Sequence, residues 1–563
     1  MKITFRTFAT LSLAFSILFI SEVNAVLTEQ QIESARKQMV SVIPNGLKKC
    51  KIPGGVLVVV KHDKIYITPF GYTDANKKTT ITSDTLFPIS SGSKNVTAFL
   101  VGALVDAGKL SWENKVRKYD KDFFIHSEEF SKELTIKDLI SHCSGFKHFA
   151  GDSLWAGGYS KQQTINAFEY FKQIPGDFRK YYGYQNVFFG LIKTVLEKVT
   201  GEKYEDLVRK YLFNKMDMKN ASAIRLGYET SRWGHIKYLS SRFNYDKKRL
   251  GLWGALINYV KEIFTFKPKA GVTGHAYYKD GIVELPEVGY FHIYPATSGI
   301  AFSATEFAKW IQMLLSKGKY GNNTVVAQET FKKITTPVVN MKKIKPTDDT
   351  FTIDRFPRED LHYGIGTFIA KYADNGKNPK NILFHMGGTY GAASYFVICP
   401  EEDIGVGMII NLGGTSHTLF AEYMCNYFMD LCFGYSKKDW VQAEIDRQQK
   451  YKQIVSKNIA TLLEYSTPMA SSQKYEGTFE SDIYGELTFS NKNGKIILSN
   501  GIKSVELTHV NGNIFSFHDK ELLINFSNVD EYVVFYPDAN GDFNTCRVTC
   551  FGEENTIFKR KEK

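Results

Sequence analysis

Ser91 and Lys94 are the residues whose types and spacing most directly indicate covalent chemistry. They are the first and fourth residues of Ser91-Gly92-Ser93-Lys94. On a helix such residues share one face, one turn apart. A serine hydroxyl needs a base to become a nucleophile, and a lysine amine can act as that base if burial or nearby cations keep it neutral. The spacing is therefore suited to a nucleophile and its base.

The spacing alone is not selective, because Ser-x-x-Lys also occurs at Ser34/Lys37, Ser144/Lys147, Ser316/Lys319 and Ser471/Lys474. Only Ser91 follows a strand-like segment, Leu86 to Ile89, and opens a helix that is apolar for several turns. A helix N-terminus favours a developing oxyanion, and the apolar helix would bury Lys94. The local alternative is a helix-capping serine with a surface lysine.

Two further segments carry groups that fit the same chemistry. Tyr184-Gln185-Asn186 offers a phenol that can shuttle a proton when cations lower its pKa, and an amide that can orient a lysine and a substrate carbonyl. His385-Met386-Gly387-Gly388 ends a predicted strand, where glycines let a substrate backbone approach. Each pattern is weak alone, since related spacings occur at Tyr320-Gly321-Asn322 and His362-Tyr363-Gly364.

The elements around these groups predict an α/β (α+β) fold. A helix from Leu27 to Leu47 and a hairpin from Gly54 to Pro69 come first, and a helical middle follows. Three strands within Asn381 to Asn411 and a helix from Thr415 to Phe433 come last. Early and late strands can share one antiparallel sheet flanked by helices, with the middle of the chain as a helical lobe and a cleft between them.

Taken together, the three motifs resemble those of the serine β-lactamase and penicillin-binding protein superfamily. The likeness is to the branch that holds class C β-lactamases, D,D-peptidases, D-aminopeptidases and related esterases. Further similar segments are Leu139 to Gly145, Leu212-Phe213 to Met218-Lys219, Ser298-Gly299 to Thr305, Tyr363 to Gly366 and Gly387 to Gly391.

The resemblance implies a role for each site residue. Ser91 would form an acyl-enzyme, Lys94 would take its proton, and Tyr184 would pass a proton to the leaving group. Asn186 would position Lys94 and the substrate amide. The N–H groups of Ser91 and Gly388 would bind the oxyanion, beside Gly387.

His385 would stand where many members of the superfamily have a lysine, and Met386 replaces a hydroxyl residue. A neutral histidine attracts a substrate carboxylate less strongly. The departure weakens the case for antibiotic hydrolysis and leaves D,D-peptidase, D-amino-acid amidase and esterase activities open.

Composition and the N-terminus predict an exported globular protein. Hydrophobic residues make up 43%, charged residues 23%, and the net charge is +12. We interpret that charge as a basic solvated surface, without nucleic-acid binding. Residues 1–25 combine a basic start, an apolar run from Phe8 to Ile20 and Val23-Asn24-Ala25, as in a cleaved signal peptide, so the protein would be periplasmic or secreted. The seven cysteines form no Cys-x-x-Cys pair and are interpreted mostly as small buried residues.

The predicted domains are a signal peptide (1–25), a catalytic domain (26–435), a helical linker (436–473) and a C-terminal β-barrel or sandwich (474–563). The last resembles the lipocalin-like appendages of some branch members. An insertion at about 223–270 contains the apolar stretch Leu250 to Phe264 beside basic residues. Its pattern is weakly amphipathic, so we expect burial rather than membrane contact through 247–269.

The function that we predict is a serine hydrolase acting through an acyl-enzyme on amide or ester substrates, such as D-Ala peptides of cell wall or small esters. The expected partner is a small molecule or peptide, with peptidoglycan among the candidates, and no cofactor or metal is expected. The alternative is a non-catalytic protein that binds peptidoglycan or another partner. A zinc site at His142 and His148 is disfavoured, because no carboxylate or third ligand has suitable spacing.

Overall fold

The structure is a computed structural model that describes residues 27–156, 158–173, 178–224, 229–278, 281–285, 295–341, 358–374, 376–389, 391–413, 419–436, 438–463, 468–517, 531–549 and 557–561. The predicted signal peptide and Cys550 lie outside these ranges. The six cysteines inside them are buried and unbridged. None of the helices in the described ranges is both long and apolar enough to cross a membrane.

The strands before residue 414 are β1 (Gly54–Lys61), β2 (Lys64–Gly71), β3 (Phe87–Pro88), β4 (Gly274–Tyr278), β5 (Gly281–Leu285), β6 (Ala301–Phe302), β7 (Lys319–Tyr320), β8 (Asn323–Thr324), β9 (Val339–Asn340), β10 (Arg358–Tyr363), β11 (Phe368–Asp374), β12 (Lys377–Thr389), β13 (Ala392–Cys399), β14 (Ile404–Ile410) and β15 (Leu412–Gly413).

The α-helices are α1 (Glu29–Lys49), α2 (Ser93–Asp106), α3 (Glu128–Glu133), α4 (Ile136–Ile140), α5 (Asp152–Ala156), α6 (Lys161–Ala167), α7 (Asn186–Thr200), α8 (Tyr204–Val208), α9 (Arg232–Thr265), α10 (Pro295–Ser298), α11 (Ala304–Leu315), α12 (Gln328–Ile334), α13 (Phe420–Phe433) and α14 (Trp440–Leu463). Other helical turns are Ser90–Gly92, Val116–Lys118, Arg209–Phe213, Asn214–Met216 and Ser472–Lys474.

The central sheet joins the start of the chain to its later strands, as the sequence predicted. Its order is β2-β1-β14-β13-β12-β11-β10-β9, and every neighbouring pair is antiparallel. The α/β (α+β) fold with an antiparallel sheet is therefore confirmed.

Helices cover both faces of the sheet, which is why β1, β13 and β14 are buried along their whole length. On one face α11 packs so closely that a Cβ on Gly407 would lie 2.4 Å from the ring of Phe307. On the opposite face lie α1 and α13, where Phe420 fills the space above Gly46. Helices on the two faces thus hold β13 and β14, and β13 pairs with β12, the strand next to the candidate nucleophile.

The helical lobe is built around α2, which is buried along almost its whole length. Polar side chains fix its neighbours. Thr97 donates to the carbonyl of Ala296 in α10 at 2.7 Å, and Trp310 in α11 donates to Asn95 at 3.0 Å. The first turn of α2 is therefore held between the lobe and the sheet.

The C-terminal module is a closed eight-stranded barrel, so the all-β prediction is confirmed. Its strands are β16 (Gly477–Ser481), β17 (Gly485–Lys492), β18 (Lys495–Ser499), β19 (Ser504–Asn511), β20 (Ile514–Phe517), β21 (Glu531–Pro537), β22 (Phe543–Val548) and β23 (Phe558–Arg560). Stacked and edge-on aromatic rings of Tyr475, Phe515, Phe535 and Phe543 fill it. Asn493-Gly494 connects β17 to β18, and Asn511-Gly512 lies where β19 turns into β20.

Candidate active site

Ser91 lies in a single 3₁₀ turn, Ser90–Gly92, that runs directly into α2. Ser90 has a left-handed backbone with φ 51°, which costs a non-glycine residue about 1–2 kcal/mol. Surrounding hydrogen bonds hold this conformation. Ser90 Oγ lies 2.7 Å from Thr389 Oγ1, and Ser394 Oγ donates to the Ile89 carbonyl at 2.6 Å. The nucleophile turn is thus clamped against β12 and β13.

Lys94 places its amine beside the Ser91 hydroxyl. Its Nζ lies 3.1 Å from Ser91 Oγ, 2.7 Å from Asn186 Oδ1 and 3.4 Å from the Thr297 carbonyl. The side chain is fully buried, and this desolvation lowers the pKa of Lys94 to about 7. A large fraction of the amine is therefore neutral near pH 7, as a base must be.

Tyr184 completes a cluster with these two residues. Lys94 Nζ lies 4.7 Å from the centre of the Tyr184 ring, and the Tyr184 hydroxyl is hydrogen-bonded to Ser91. The condition stated above for proton shuttling, a phenol pKa lowered by cations, is not met. Burial raises the pKa of Tyr184 above its ordinary value of 10.0, because the phenolate would be desolvated. Tyr184 is thus a neutral hydroxyl that can donate a proton.

The loop that carries Tyr184 is held by two histidines. His148 Nδ1 accepts from the Tyr184 N–H at 3.0 Å, and His142 Nδ1 accepts from the Gln185 N–H at 3.1 Å. These bonds give both side chains a role in positioning the loop. Within the described ranges, no three His, Cys, Asp or Glu side chains come together in a metal-binding group.

His385, Gly387 and Gly388 lie where β12 extends past its neighbour. The pairing of β11 with β12 ends at Phe384, whereas β12 and β13 stay paired through His385↔Phe396, Gly387↔Ser394 and Gly388↔Ala393. Gly387 faces the nucleophile turn, because an added Cβ would lie 2.3 Å from the Ile89 carbonyl and 3.0 Å from Ser90 Cβ. A side chain at this position would push the turn away from the strand.

His385 is fully buried, and its ring packs 5.1 Å from that of Phe368. Burial, followed by the nearby charge of Lys94, lowers the pKa of His385 to about 3. The imidazole is therefore neutral at physiological pH. Many members of the superfamily that this chain resembles have a lysine at the position of His385. The neutral His385 therefore supplies no positive charge there.

Asp152 is a site residue that the sequence analysis missed. It begins α5 and is 4% exposed, and its Oδ2 accepts from Asn186 Nδ2 at 2.5 Å. This bond turns the Asn186 oxygen toward Lys94, and the carboxylate also favours the charged form of Lys94. Asp152 lies 32 residues before Tyr184, with no local spacing to mark it, so only the tertiary structure connects them.

The segment around α5 also contacts the barrel. Tyr159 donates to the carbonyl of Tyr484 at 2.5 Å, and Ser153 Oγ lies 3.0 Å from the Tyr484 hydroxyl. Ser153 follows Asp152 directly, so the barrel supports the segment that positions Asn186.

The chain shares limited identity with two curated relatives. It is 23% identical over 388 residues to Protein flp of Staphylococcus aureus (strain MW2), covering 67% of this chain and 63% of that protein. It is 23% identical over 392 residues to the N-acetylmuramyl-L-alanine amidase of Bacillus subtilis (strain 168), covering 64% of this chain and 77% of that protein. The chain thus spans less than two thirds of the length of the Staphylococcus relative.

Among solved structures, the octameric penicillin-binding protein homologue from Pyrococcus abyssi matches with a TM-score of 0.55 at 17% identity. The match covers 93% of this chain and 99% of that one, so the likeness in fold includes both the sheet-and-helix part and the barrel. The beta-lactamase family model matches residues 39–422, which contain every residue of the candidate site. The chain belongs to the beta-lactamase family.

Proposed function

We propose that the protein is an exported serine hydrolase that acts on amide or ester substrates through an acyl-enzyme on Ser91. The observation that carries the proposal is the fully buried Lys94 amine, 3.1 Å from Ser91 Oγ and with a pKa of about 7. A helix cap with a surface lysine, the local alternative, would have neither property. The basic, apolar and small-residue pattern of residues 1–25 supports export.

Acylation begins with a proton transfer inside the buried cluster. Neutral Lys94 takes the proton of Ser91, and Ser91 Oγ attacks the substrate carbonyl carbon. The Asn186 oxygen, 2.7 Å from Lys94 Nζ, stabilises the ammonium that forms. The backbone N–H groups of Ser91 and Gly388 are the proposed donors to the oxyanion.

Collapse of the tetrahedral intermediate requires a proton for the leaving amine or alkoxide. Tyr184 is suited to supply it, because burial keeps its phenol protonated and its hydroxyl contacts Ser91. Protonated Lys94, beside the same ring, then returns a proton to Tyr184. Water cleaves the Ser91 ester in the reverse sequence and releases the acid.

The neutral His385 shapes the proposed substrate preference. Efficient binding of a β-lactam or a D-alanine terminus needs attraction of its carboxylate, which a group with a pKa of about 3 does not supply. Small esters and amides without that carboxylate do not need it. The amidase name of the Bacillus subtilis relative supports including cell-wall amides among the candidates.

A substrate panel tests the proposal. We expect hydrolysis of p-nitrophenyl esters, slower cleavage of D-Ala-D-Ala peptides and the slowest turnover of nitrocefin, all sensitive to a serine-reactive fluorophosphonate. Release of p-nitrophenol, D-alanine and opened nitrocefin measures the three rates. If none is cleaved and neither the fluorophosphonate nor a fluorescent penicillin labels the chain, the non-catalytic binding function is favoured instead.

Asp152 gives a second prediction, based on its bond to Asn186. Asp152→Asn keeps an oxygen that can accept from Asn186 and removes the charge, whereas Asp152→Ala removes both. Because the carboxylate raises the pKa of Lys94, both variants should move the acid limb of the kcat/KM profile to lower pH. Only Asp152→Ala should also lower the plateau, by about 10- to 100-fold, since Asn186 loses its orientation.

The measurement is a pH–rate profile for ester hydrolysis by the wild type and both variants. Tyr184, His142 and His385 also lie around Lys94 and stay unchanged in the comparison. An acid limb that stays in place in both variants would show that Asp152 does not act on Lys94.

A further inference from the structure

The insertion between residues 229 and 270 forms a helical hairpin. The chain breaks within α9 at Gly251, whose φ is 75° and ψ is 170°. The two halves run antiparallel, because Ser240 Oγ lies 2.9 Å from the Tyr259 hydroxyl and Arg232 donates to the Ile263 carbonyl at 3.3 Å. Residues 247–253 therefore form the tip of the hairpin.

The first half of the hairpin is the part that contacts the body of the protein. Arg242 pairs with Asp206, just after the start of α8, at 2.8 Å, and Lys203 lies 5.4 Å from the centre of the Tyr245 ring. The second half packs on the first through contacts such as the Phe243 and Tyr259 rings. It is therefore the outer layer, with one face directed away from the body.

That outer face carries a row of large exposed apolar side chains. Trp253 is 74% exposed, Ile257 66%, Val260 45% and Phe264 78%. Their spacing of four, three and four residues puts them on one side of a helix. The expected burial of Leu250 to Phe264 is thus wrong, because only the inner face, including Ala255, is buried. Leu250, Leu252 and Leu256 extend the exposed surface toward the tip.

Positive charge surrounds this surface. The segment from 229 to 270 holds nine Lys or Arg and three Asp or Glu residues. The three carboxylates face cations or a histidine of the same segment: Asp246 pairs with Arg242, Glu229 pairs with Lys269, and Glu262 lies 3.9 Å from His235. Lys247, Lys248 and Arg249 are exposed at the tip. The face is therefore apolar at its centre and cationic at its edge.

We propose that the outer face of this hairpin docks on an anionic lipid surface. Trp and Phe at the centre suit the interfacial region of a bilayer, and the tip cations suit acidic headgroups. A second copy of the chain would bring the same cations together without supplying anions. The hairpin would thus hold the hydrolase at a membrane, with the apolar row in the headgroup layer and the body outside it.

The test is flotation of the full chain with vesicles of phosphatidylcholine alone or mixed with phosphatidylglycerol. We expect binding to the mixed vesicles and a loss of about 100-fold or more in partition coefficient for Trp253→Ala/Ile257→Ala/Phe264→Ala. The matched control is Ile65→Ala/Phe124→Ala, which removes side chains that are 39% and 41% exposed elsewhere. The control should bind like the wild type, and all variants should retain ester hydrolysis.

A second variant separates charge from apolar contact. Lys247→Gln/Lys248→Gln/Arg249→Gln should reduce binding to the anionic vesicles roughly 100-fold at low salt, and much less at ~0.5 M salt, where the charges are screened. Absence of vesicle binding by the wild type would overturn the proposal. So would equal binding by the wild type and the apolar triple variant, or self-association without lipid that the apolar triple variant abolishes in sedimentation experiments.

Discussion

Ser91→Ala is expected to abolish covalent labelling by a fluorophosphonate and to lower kcat/KM for ester hydrolysis by at least about 10³-fold. Ser91 Oγ is the atom that would carry the acyl group, and the neighbouring Lys94, Tyr184 and Asn186 act on it or through it. Any hydrolysis that remains in Ser91→Ala would come from binding of the transition state by the rest of the site, without attack by Ser91. In-gel fluorescence and p-nitrophenol release measure the two effects.

A matched control comes from the other Ser-x-x-Lys segments. Ser316 and Lys319 have the same spacing, but both side chains are exposed at the end of α11. Ser316→Ala should label and hydrolyse like the wild type. Wild-type labelling of Ser91→Ala with unchanged hydrolysis would assign the nucleophile to another residue and refute the mechanism.

The activity is expected to depend on pH through Lys94. Because the base must be neutral and its pKa is about 7, kcat/KM should rise about tenfold per pH unit below pH 7 and level off above it.

Lys94→Ala should abolish acylation without unfolding the chain. Lys94→Arg should remain inactive up to about pH 10, since a guanidinium does not lose its proton there. Rate profiles with an ester substrate and circular dichroism measure these results.

The same shift predicts how stability changes with pH. The ordinary pKa of lysine, 10.5, is lowered to about 7 in the folded chain. Between these values the unfolded chain binds more protons, so the free energy of unfolding should rise with pH. Lys94→Met lacks this group, and its stability relative to the wild type should be greatest below pH 7 and decline toward pH 10.5. A stability difference between Lys94→Met and the wild type that stays constant from pH 7 to pH 10.5 would contradict a base with a pKa near 7. A kcat/KM profile whose acid limb lies near pH 4 would contradict it as well.

The candidate nucleophile, base and proton donor were predictable because each lies beside an element with a local signal and because the three motifs together resemble those of the serine β-lactamase and penicillin-binding protein superfamily. Ser91 precedes a continuous apolar helix, and Tyr184 lies just before another, which begins at Asn186. Glycine-rich segments such as Gly387-Gly388 indicate close backbone approach. The structure brings Ser91, Lys94, Tyr184 and Asn186 into one cluster and places Gly387 against the nucleophile turn.

Other features depend on residues far apart in the chain, and no local pattern reveals them. Asp152 reaches Asn186 only because α5 packs beside α7, and the contact of Ser153 with Tyr484 spans 331 residues. The neutral state of His385 and the raised pKa of Tyr184 follow from burial in the assembled site. Likewise, Leu250 to Phe264 is apolar enough to be a buried helix, and only its position as the outer layer exposes it.

The sequence by itself therefore determined the elements, their antiparallel arrangement and the reactive groups, because these follow from periodicity, turn residues and short motifs. Tertiary structure alone decided the protonation states, the support from Asp152 and the exposed hairpin face. Each of these depends on how much water and charge surround a side chain, and that is set by packing between distant segments.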